Sequence, residues 1–94
     1  MCNNGLSKED KLFLIIREEL NKVDPIGVFK HNPNVIDEYD LENERILPFV
    51  TLYSDHIEFA KKICEIVSKT TCLNLHPEWF YECAENILNK AKQL

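Results

Sequence analysis

Residues 7–27, SKEDKLFLIIREELNKVDPIG, predict the first helix of the fold and the turn that ends it. Ser7 is a candidate N-cap, and Asp10 follows three residues later, which is the spacing of a capping box. The apolar residues recur at the three- and four-residue steps of one helix face. They are Leu12, Phe13, Ile15, Ile16, Leu20 and Val23. We therefore expect a helix over residues 8–23.

A type I turn is predicted directly after this helix. Asp24, Pro25 and Gly27 occupy its first, second and fourth positions, where these residue types are favoured. Pro25 also disfavours helical geometry at Asp24. Residues 28–35 show no sustained hydrophobic period, so we expect an extended loop there.

Apolar periodicity predicts three further helices, at residues 40–53, 55–71 and 77–93. Asp40 is the expected N-cap of the second helix. Pro48 falls inside that helix and predicts either a kink or a later start, because proline lacks a backbone donor. No apolar pattern alternates at period two, so no sheet is expected.

The third and fourth helices have recognisable starts. Asp55 and Glu58 have the spacing of a capping box, while Pro77 suits a first helical position and Leu75 can pack on Phe80 across the cap. The residues expected to be most buried are Ile16, Leu20, Ile63, Val67, Trp79 and Phe80. The prediction is a small all-α bundle of about four helices.

Length and composition favour a single domain over residues 1–94, with residues 1–6 as a flexible N-terminus. The strongest apolar stretch, Leu12 to Ile16, is too short to span a membrane, so we expect a cytoplasmic protein with no membrane partner. The four cysteines are expected to be reduced thiols, with Cys64 and Cys83 packed in the core.

Residues 37–44, DEYDLENE, carry five acids and no base. The full chain has 16 acids and 11 bases, so this acidic segment supplies the entire net charge of −5. A concentrated anionic patch on an otherwise neutral body can orient a basic partner.

The two motifs Asp24-Pro25-Ile26-Gly27 and Asp37-Glu38-Tyr39-Asp40, together with an aromatic-rich last helix, resemble the YugE-like family of short uncharacterised bacterial helical proteins. The resemblance implies an all-α fold and no established activity, so it supplies no catalytic residues. It does imply a set of signature positions. These are Asp24, Pro25, Gly27, Asp37, Glu38, Tyr39 and Asp40.

The acidic segment has two interpretations. In the structural one it is a solvated face, where Tyr39 packs its ring and Asp40 caps the helix. In the functional one it is an anionic docking surface with Tyr39 as the aromatic anchor. The partner-binding residues are then Asp37, Glu38, Tyr39, Asp40, Glu42 and Glu44. Bacterial immunity proteins, which neutralise basic nuclease toxins, are similar in charge and helical class, so we expect a non-enzymatic protein–protein interaction module with a basic partner.

Other functions fit the sequence less well. It has no glycine-rich phosphate loop, nucleophile elbow or HExxH motif, so no enzyme activity and no cofactor is predicted. A net charge of −5 disfavours nucleic acid as a partner. Two alternatives stay open. One is a purely structural or self-associating protein, including a homo-oligomer; the other is a small enzyme or metal-binding protein that uses Cys72, His76 and Cys83, although their spacing matches no structural zinc site.

Overall fold

The computed structural model of the protein describes residues 7–25 and 39–94. Within these two ranges the chain forms four α-helices and no strand, which confirms the predicted all-α bundle. The helices are α1 (Lys8–Val23), α2 (Asp40–Ile46), α3 (His56–Thr71) and α4 (Tyr81–Ala91). The predicted N-terminus at 1–6 and loop at 28–35 lie outside the described residues.

Helix α1 has the predicted bounds and the predicted capping box. The Ser7 hydroxyl accepts a hydrogen bond from the Asp10 N–H at 3.1 Å, and the Asp10 carboxylate accepts one from the Ser7 N–H at 3.2 Å. The helix ends at Asp24, which adopts a left-handed conformation with φ of 49° and donates its N–H to the Leu20 carbonyl. Asparagine and aspartate tolerate this conformation better than most residues.

Helix α2 is shorter than the predicted range of 40–53. It ends at Ile46, and residues Leu47–Phe49 tighten into a one-turn 3₁₀ helix that contains Pro48. A continuous α-helix would require an N–H that Pro48 lacks and would press its ring against the Glu44 carbonyl. The proline therefore ends the α-helix rather than kinking it.

Helix α3 lies within the predicted range and begins at its second residue. Asp55 is the N-cap, as its carboxylate accepts the Ile57 N–H at 3.0 Å. The predicted capping box is wrong, because the Glu58 carboxylate contacts Lys61 at 3.2 Å instead of returning to the cap backbone.

Helix α4 begins later than predicted and ends at Ala91. The residues that were expected to form its first turn, Pro77–Phe80, are a 3₁₀ helix with Pro77 at its start. Leu75, in the preceding segment, is partly buried against the core, and its packing on Phe80 stays a prediction.

The four helices share one core. Helix α4 packs against α1 and α3, and the short α2 packs against the same two helices. Five of the six residues predicted to be most buried are fully enclosed, namely Ile16, Leu20, Ile63, Val67 and Phe80. Cys64 and Cys83 are also buried, and Cys64, Cys72 and Cys83 are free thiols. No helix in the described ranges has the length and apolar character needed to cross a membrane.

Candidate functional site

The acidic segment is described in part, and its described members differ in exposure. Asp37 and Glu38 lie outside the described residues. Glu44 is exposed on α2, whereas Tyr39 and Glu42 are buried, at 2% and 6% exposure. The Tyr39 ring is therefore not available as the surface anchor that the docking interpretation assigned to it.

Tyr39 links the two signature motifs inside the fold. Its hydroxyl donates to Asp24 Oδ1 at 2.8 Å, which joins the residue that ends α1 to the residue that precedes α2. A buried tyrosine hydroxyl requires such a partner, because leaving it unpaired away from water is costly. Pro25 follows Asp24 directly, and Gly27 lies outside the described residues. This geometry fits the structural interpretation of Tyr39.

Asp40 is not the cap of α2. It is the first helical residue, and its two carboxylate oxygens accept hydrogen bonds from Arg17 Nε at 3.1 Å and Nη2 at 2.6 Å. A bidentate pair with a guanidinium occupies both oxygens and is among the stronger charge-assisted contacts. The Asp40 carboxylate thus fixes α2 on α1 instead of closing the helix end.

Trp79 is exposed, which corrects its prediction as a core residue. Its exposed fraction is 51%, while the adjacent Phe80 is fully buried. The prediction assumed an α-helix from Pro77, but a 3₁₀ helix has about 3.0 residues per turn instead of about 3.6, which rotates successive side chains differently. The indole packs edge-on against the His76 imidazole, with ring centroids 5.0 Å apart.

An open pocket of about 280 Å³ lies beside Trp79, between the end of α1 and the start of α4. Its lining combines one exposed aromatic ring, a thiol, an aliphatic side chain and three charged groups. The lining residues are Glu19, Lys22, Val23, Trp79, Glu82 and Cys83.

Glu19 is the buried carboxylate of this pocket, at 1% exposure. Its Oε1 accepts from Asn86 at 3.1 Å, and its Oε2 accepts from Lys90 at 2.8 Å and Lys22 at 3.3 Å. Burial opposes ionisation, but the hydrogen bonds from Lys90, Asn86 and Lys22 outweigh it and lower the pKa of Glu19. The group is therefore an ionised carboxylate whose charge is compensated, and it joins α1 to α4.

Cys83 is a poor candidate for chemistry. Burial raises the pKa of its thiol to about 12, with the nearby Glu19 charge adding to the effect. The thiol is protonated at neutral pH, and the thiol form is a weak nucleophile and a weak metal ligand. Across residues 7–25 and 39–94, which include Cys72 and His76, no three His, Cys, Asp or Glu side chains group as a metal site. Cys72, His76 and Cys83 thus do not form the alternative metal site considered from the sequence.

Three exposed glutamates lie on the segment that begins at Pro77, and one of them, Glu82, lines the pocket. They are Glu78 in the 3₁₀ turn, and Glu82 and Glu85, which are three residues apart on α4 and therefore lie on one side of that helix. None of the three makes an ion pair within the described part of the chain, whereas two exposed glutamates of α3 are paired with lysines. We call Trp79 with these three glutamates the Trp79 face.

Sequence reasoning did not select Glu19, although a signal was present. Position 19 lies three residues after Ile16 and four before Val23, within the apolar stripe of α1. A carboxylate on a buried stripe predicts a paired partner. Its partner Lys90 lies 71 residues away, so the sequence alone could not identify it.

Comparisons of the chain with protein-family models, with curated proteins and with solved structures found no match. The resemblance to the YugE-like family remains a prediction that depends on the two short motifs. Function is therefore inferred from the geometry of the Trp79 face and its pocket.

Proposed function

We propose that the protein is a non-enzymatic protein–protein interaction module that binds a basic partner through the Trp79 face. The observation that carries the proposal is a half-exposed tryptophan beside an open pocket and three glutamates without ion pairs in the described chain. Tryptophan offers a large contact area with few rotatable bonds and is enriched at binding hot spots. The proposal keeps the class of function expected from the sequence and gives it a different aromatic anchor.

The pocket suits a cationic side chain of the partner. An arginine or lysine that enters it can contact the Trp79 ring and the Glu82 carboxylate together, since both line the same pocket. Cation–π contacts contribute about 0.5–2 kcal/mol, more as water is excluded. The charge of Glu19 is already compensated by Lys22 and Lys90. The attraction for a cationic side chain therefore comes from the glutamates of the Trp79 face.

The overall charge favours the same partner. A net charge of −5 attracts a basic protein before contact, and clustered carboxylates give that attraction a direction. Asp37, Glu38 and Glu44 contribute to this net charge, so the acidic segment also contributes to steering. An immunity-like role in the cytoplasm is one form of this proposal.

Comparative affinity capture tests the proposal with matched charge changes. The baits are the wild-type protein, a Glu78→Gln/Glu82→Gln variant on the Trp79 face and a Glu58→Gln/Glu65→Gln variant on α3. Both variants remove two negative charges from exposed positions, so they change the summed charge equally. Mass spectrometry on lysate from the source organism identifies proteins that the wild type retains.

The captured partner then gives a kinetic measurement. We expect the Trp79-face variant to slow association and flatten its salt dependence more than the α3 variant does. Trp79→Ala should mainly speed dissociation, because it removes a contact rather than a charge. Trp79 is the only tryptophan, so its fluorescence should shift when the partner binds. Equal effects of the two charge variants, or no effect of Trp79→Ala, would contradict the assignment of the surface.

A further inference from the structure

A second concave region lies at the other end of the α1–α4 pair and is independent of the Trp79 face. It is a groove of about 300 Å³ where the start of α1, the turn at residues 50–54 and the end of α4 meet. Its wall is mainly aliphatic, with Leu12, Val50, Leu88 and Ala91 among the lining residues. We call it the end groove.

The charged side chains that line the end groove are both lysines. Lys8 and Lys92 are exposed, and neither makes an ion pair with any residue in the described ranges. The lysines on the outer face of α3 differ, because Lys61 and Lys62 each contact a glutamate. The groove thus combines an apolar wall with two ammonium groups that make no ion pair within residues 7–25 and 39–94.

A second hollow of about 420 Å³ adjoins the groove and shares Leu12 and Thr51 with it. Leu47 and Pro48 extend the apolar surface there, and the one charged residue in its lining is Glu9. The charged side chains are therefore two lysines in the end groove and one carboxylate in the adjoining hollow. An amphiphile with an anionic head should bind with its head at the lysines and its chain directed toward Pro48.

The net charge decides between a small ligand and a large one. An acidic macromolecule, or a second copy of this chain, carries many negative charges and is repelled at a distance by a protein of net charge −5. A small monoanion is repelled far less and still meets both lysines locally. Ligand pockets of roughly 300 Å³ and above accept small molecules of this size.

We propose that the end groove binds a free medium-chain fatty carboxylate, with the carboxylate held by Lys8 and Lys92. The aliphatic wall takes the chain, since removing apolar surface from water is the main source of such affinity. The hydroxyls of Thr51 and Ser54, which also line the groove, can donate to the carboxylate oxygens.

The test is a titration of the full chain, followed by two-dimensional NMR and calorimetry, with three probes below their critical micelle concentrations. Dodecanoate has the chain and the anionic head, butyrate has the head with a short chain, and dodecyltrimethylammonium has the chain with a cationic head. We expect saturable binding of dodecanoate with shifts at Leu12, Thr51 and Ala91. The other two probes should bind at least about tenfold more weakly.

Variants of the lysines sharpen the assignment. Lys8→Gln/Lys92→Gln should weaken dodecanoate binding by about tenfold, because it removes two charge contacts. Lys61→Gln/Lys69→Gln changes the net charge equally at two exposed positions of α3 and should leave binding unchanged. Both pairs lie at the surface, so circular dichroism should show an intact fold.

Several results would overturn the proposal. These are no saturable binding of dodecanoate, equal binding of the ammonium probe, or equal effects of the two lysine variants. Concentration-dependent dimerisation in sedimentation, with the same groove resonances shifted, would identify a second copy as the occupant instead.

Discussion

Tyr39 and Trp79 both stand at the start of a helix, and the fold encloses one and exposes the other. Tyr39 precedes α2 with its ring buried and its hydroxyl bonded to Asp24. Trp79 precedes α4 in a 3₁₀ turn, half exposed, and its indole N–H has no hydrogen-bond partner within the described residues. The Tyr39 ring is buried where its hydroxyl has a hydrogen-bond partner, as is usual for amphipathic aromatic side chains. The helical register at the start of each helix determines which way the ring points and therefore whether its polar atom reaches a partner.

The starts of α2 and α4 therefore have different roles. At α2, polar groups point inward and hold helices together, with Arg17 and Asp40 beside the Tyr39–Asp24 bond. At α4, the Trp79 ring is half exposed, and the exposed glutamates beside it make no ion pair in the described chain. Substitutions at the first region should change stability, and substitutions at the second should change binding.

The largest effect is expected for Tyr39→Ala, which should cost about 3–5 kcal/mol of unfolding free energy, as for other buried aromatics. Tyr39→Phe keeps the ring and should cost about 0.5–1.5 kcal/mol, because it removes the hydrogen bond from the hydroxyl to Asp24. Urea unfolding measures both. A Tyr39→Ala variant as stable as the wild type would show that α2 does not depend on this ring.

A smaller loss is expected for Glu19→Gln, about 1–3 kcal/mol, since it removes charge-assisted hydrogen bonds from a buried group. Lys22 and Lys90 are left without this partner but can still reach water, which limits the cost. Glu18→Gln is the matched control, because Glu18 contacts the same two lysines from an exposed position. A control loss as large as that of Glu19→Gln would show that burial of Glu19 is not what matters.

The pH dependence of stability should follow Glu19. Its pKa is lowered in the folded state, so the unfolded chain binds the proton more readily. The stabilisation is fully present above the ordinary value of 4.5 and is lost as the pH falls through the lower folded value. Denaturant titrations between neutral and acidic pH should show this loss in the wild type and a smaller one in Glu19→Gln.

A still smaller effect is expected at Asp40, where a double-mutant cycle separates two interpretations. Asp40→Asn and Arg17→Gln should each lower the free energy of unfolding by about 1 kcal/mol, with a coupling energy of about 0.5–1 kcal/mol. The reason is that the two side chains are three-quarters buried and form a bidentate ion pair. A helix cap at Asp40 would instead give a loss without coupling to Arg17. Zero coupling in urea unfolding would therefore restore the cap interpretation.

The parts of this structure that the sequence predicts are local. The bounds of α1 follow from the capping residues Ser7 and Asp10 at its start and from the apolar stripe that runs to the predicted turn. All of these signals lie within or next to one helix. The end of α2 was missed because Pro48 allowed two outcomes, and the partner of Glu19 was missed because it comes from the far end of the chain. Trp79 was misplaced since an α-helical register was applied to a 3₁₀ turn. The pocket beside Trp79 is formed by residues from both ends of the chain that meet only in the fold, so no sequence pattern indicated it.

Among these residues, Trp79 should matter least for stability. Its neighbour Phe80 provides the sharpest contrast. Phe80→Ala should cost about 3–5 kcal/mol because the ring is fully buried, whereas Trp79→Ala should cost only about 1 kcal/mol because half of the indole is already exposed. The fluorescence of the only tryptophan checks the same point without a substitution. Its emission in the folded protein should already be close to that of a solvated indole, and iodide or acrylamide should quench it nearly as well before unfolding as after. A blue emission that shifts strongly to the red on unfolding would mean that Trp79 is enclosed, and the Trp79 face would lose its anchor.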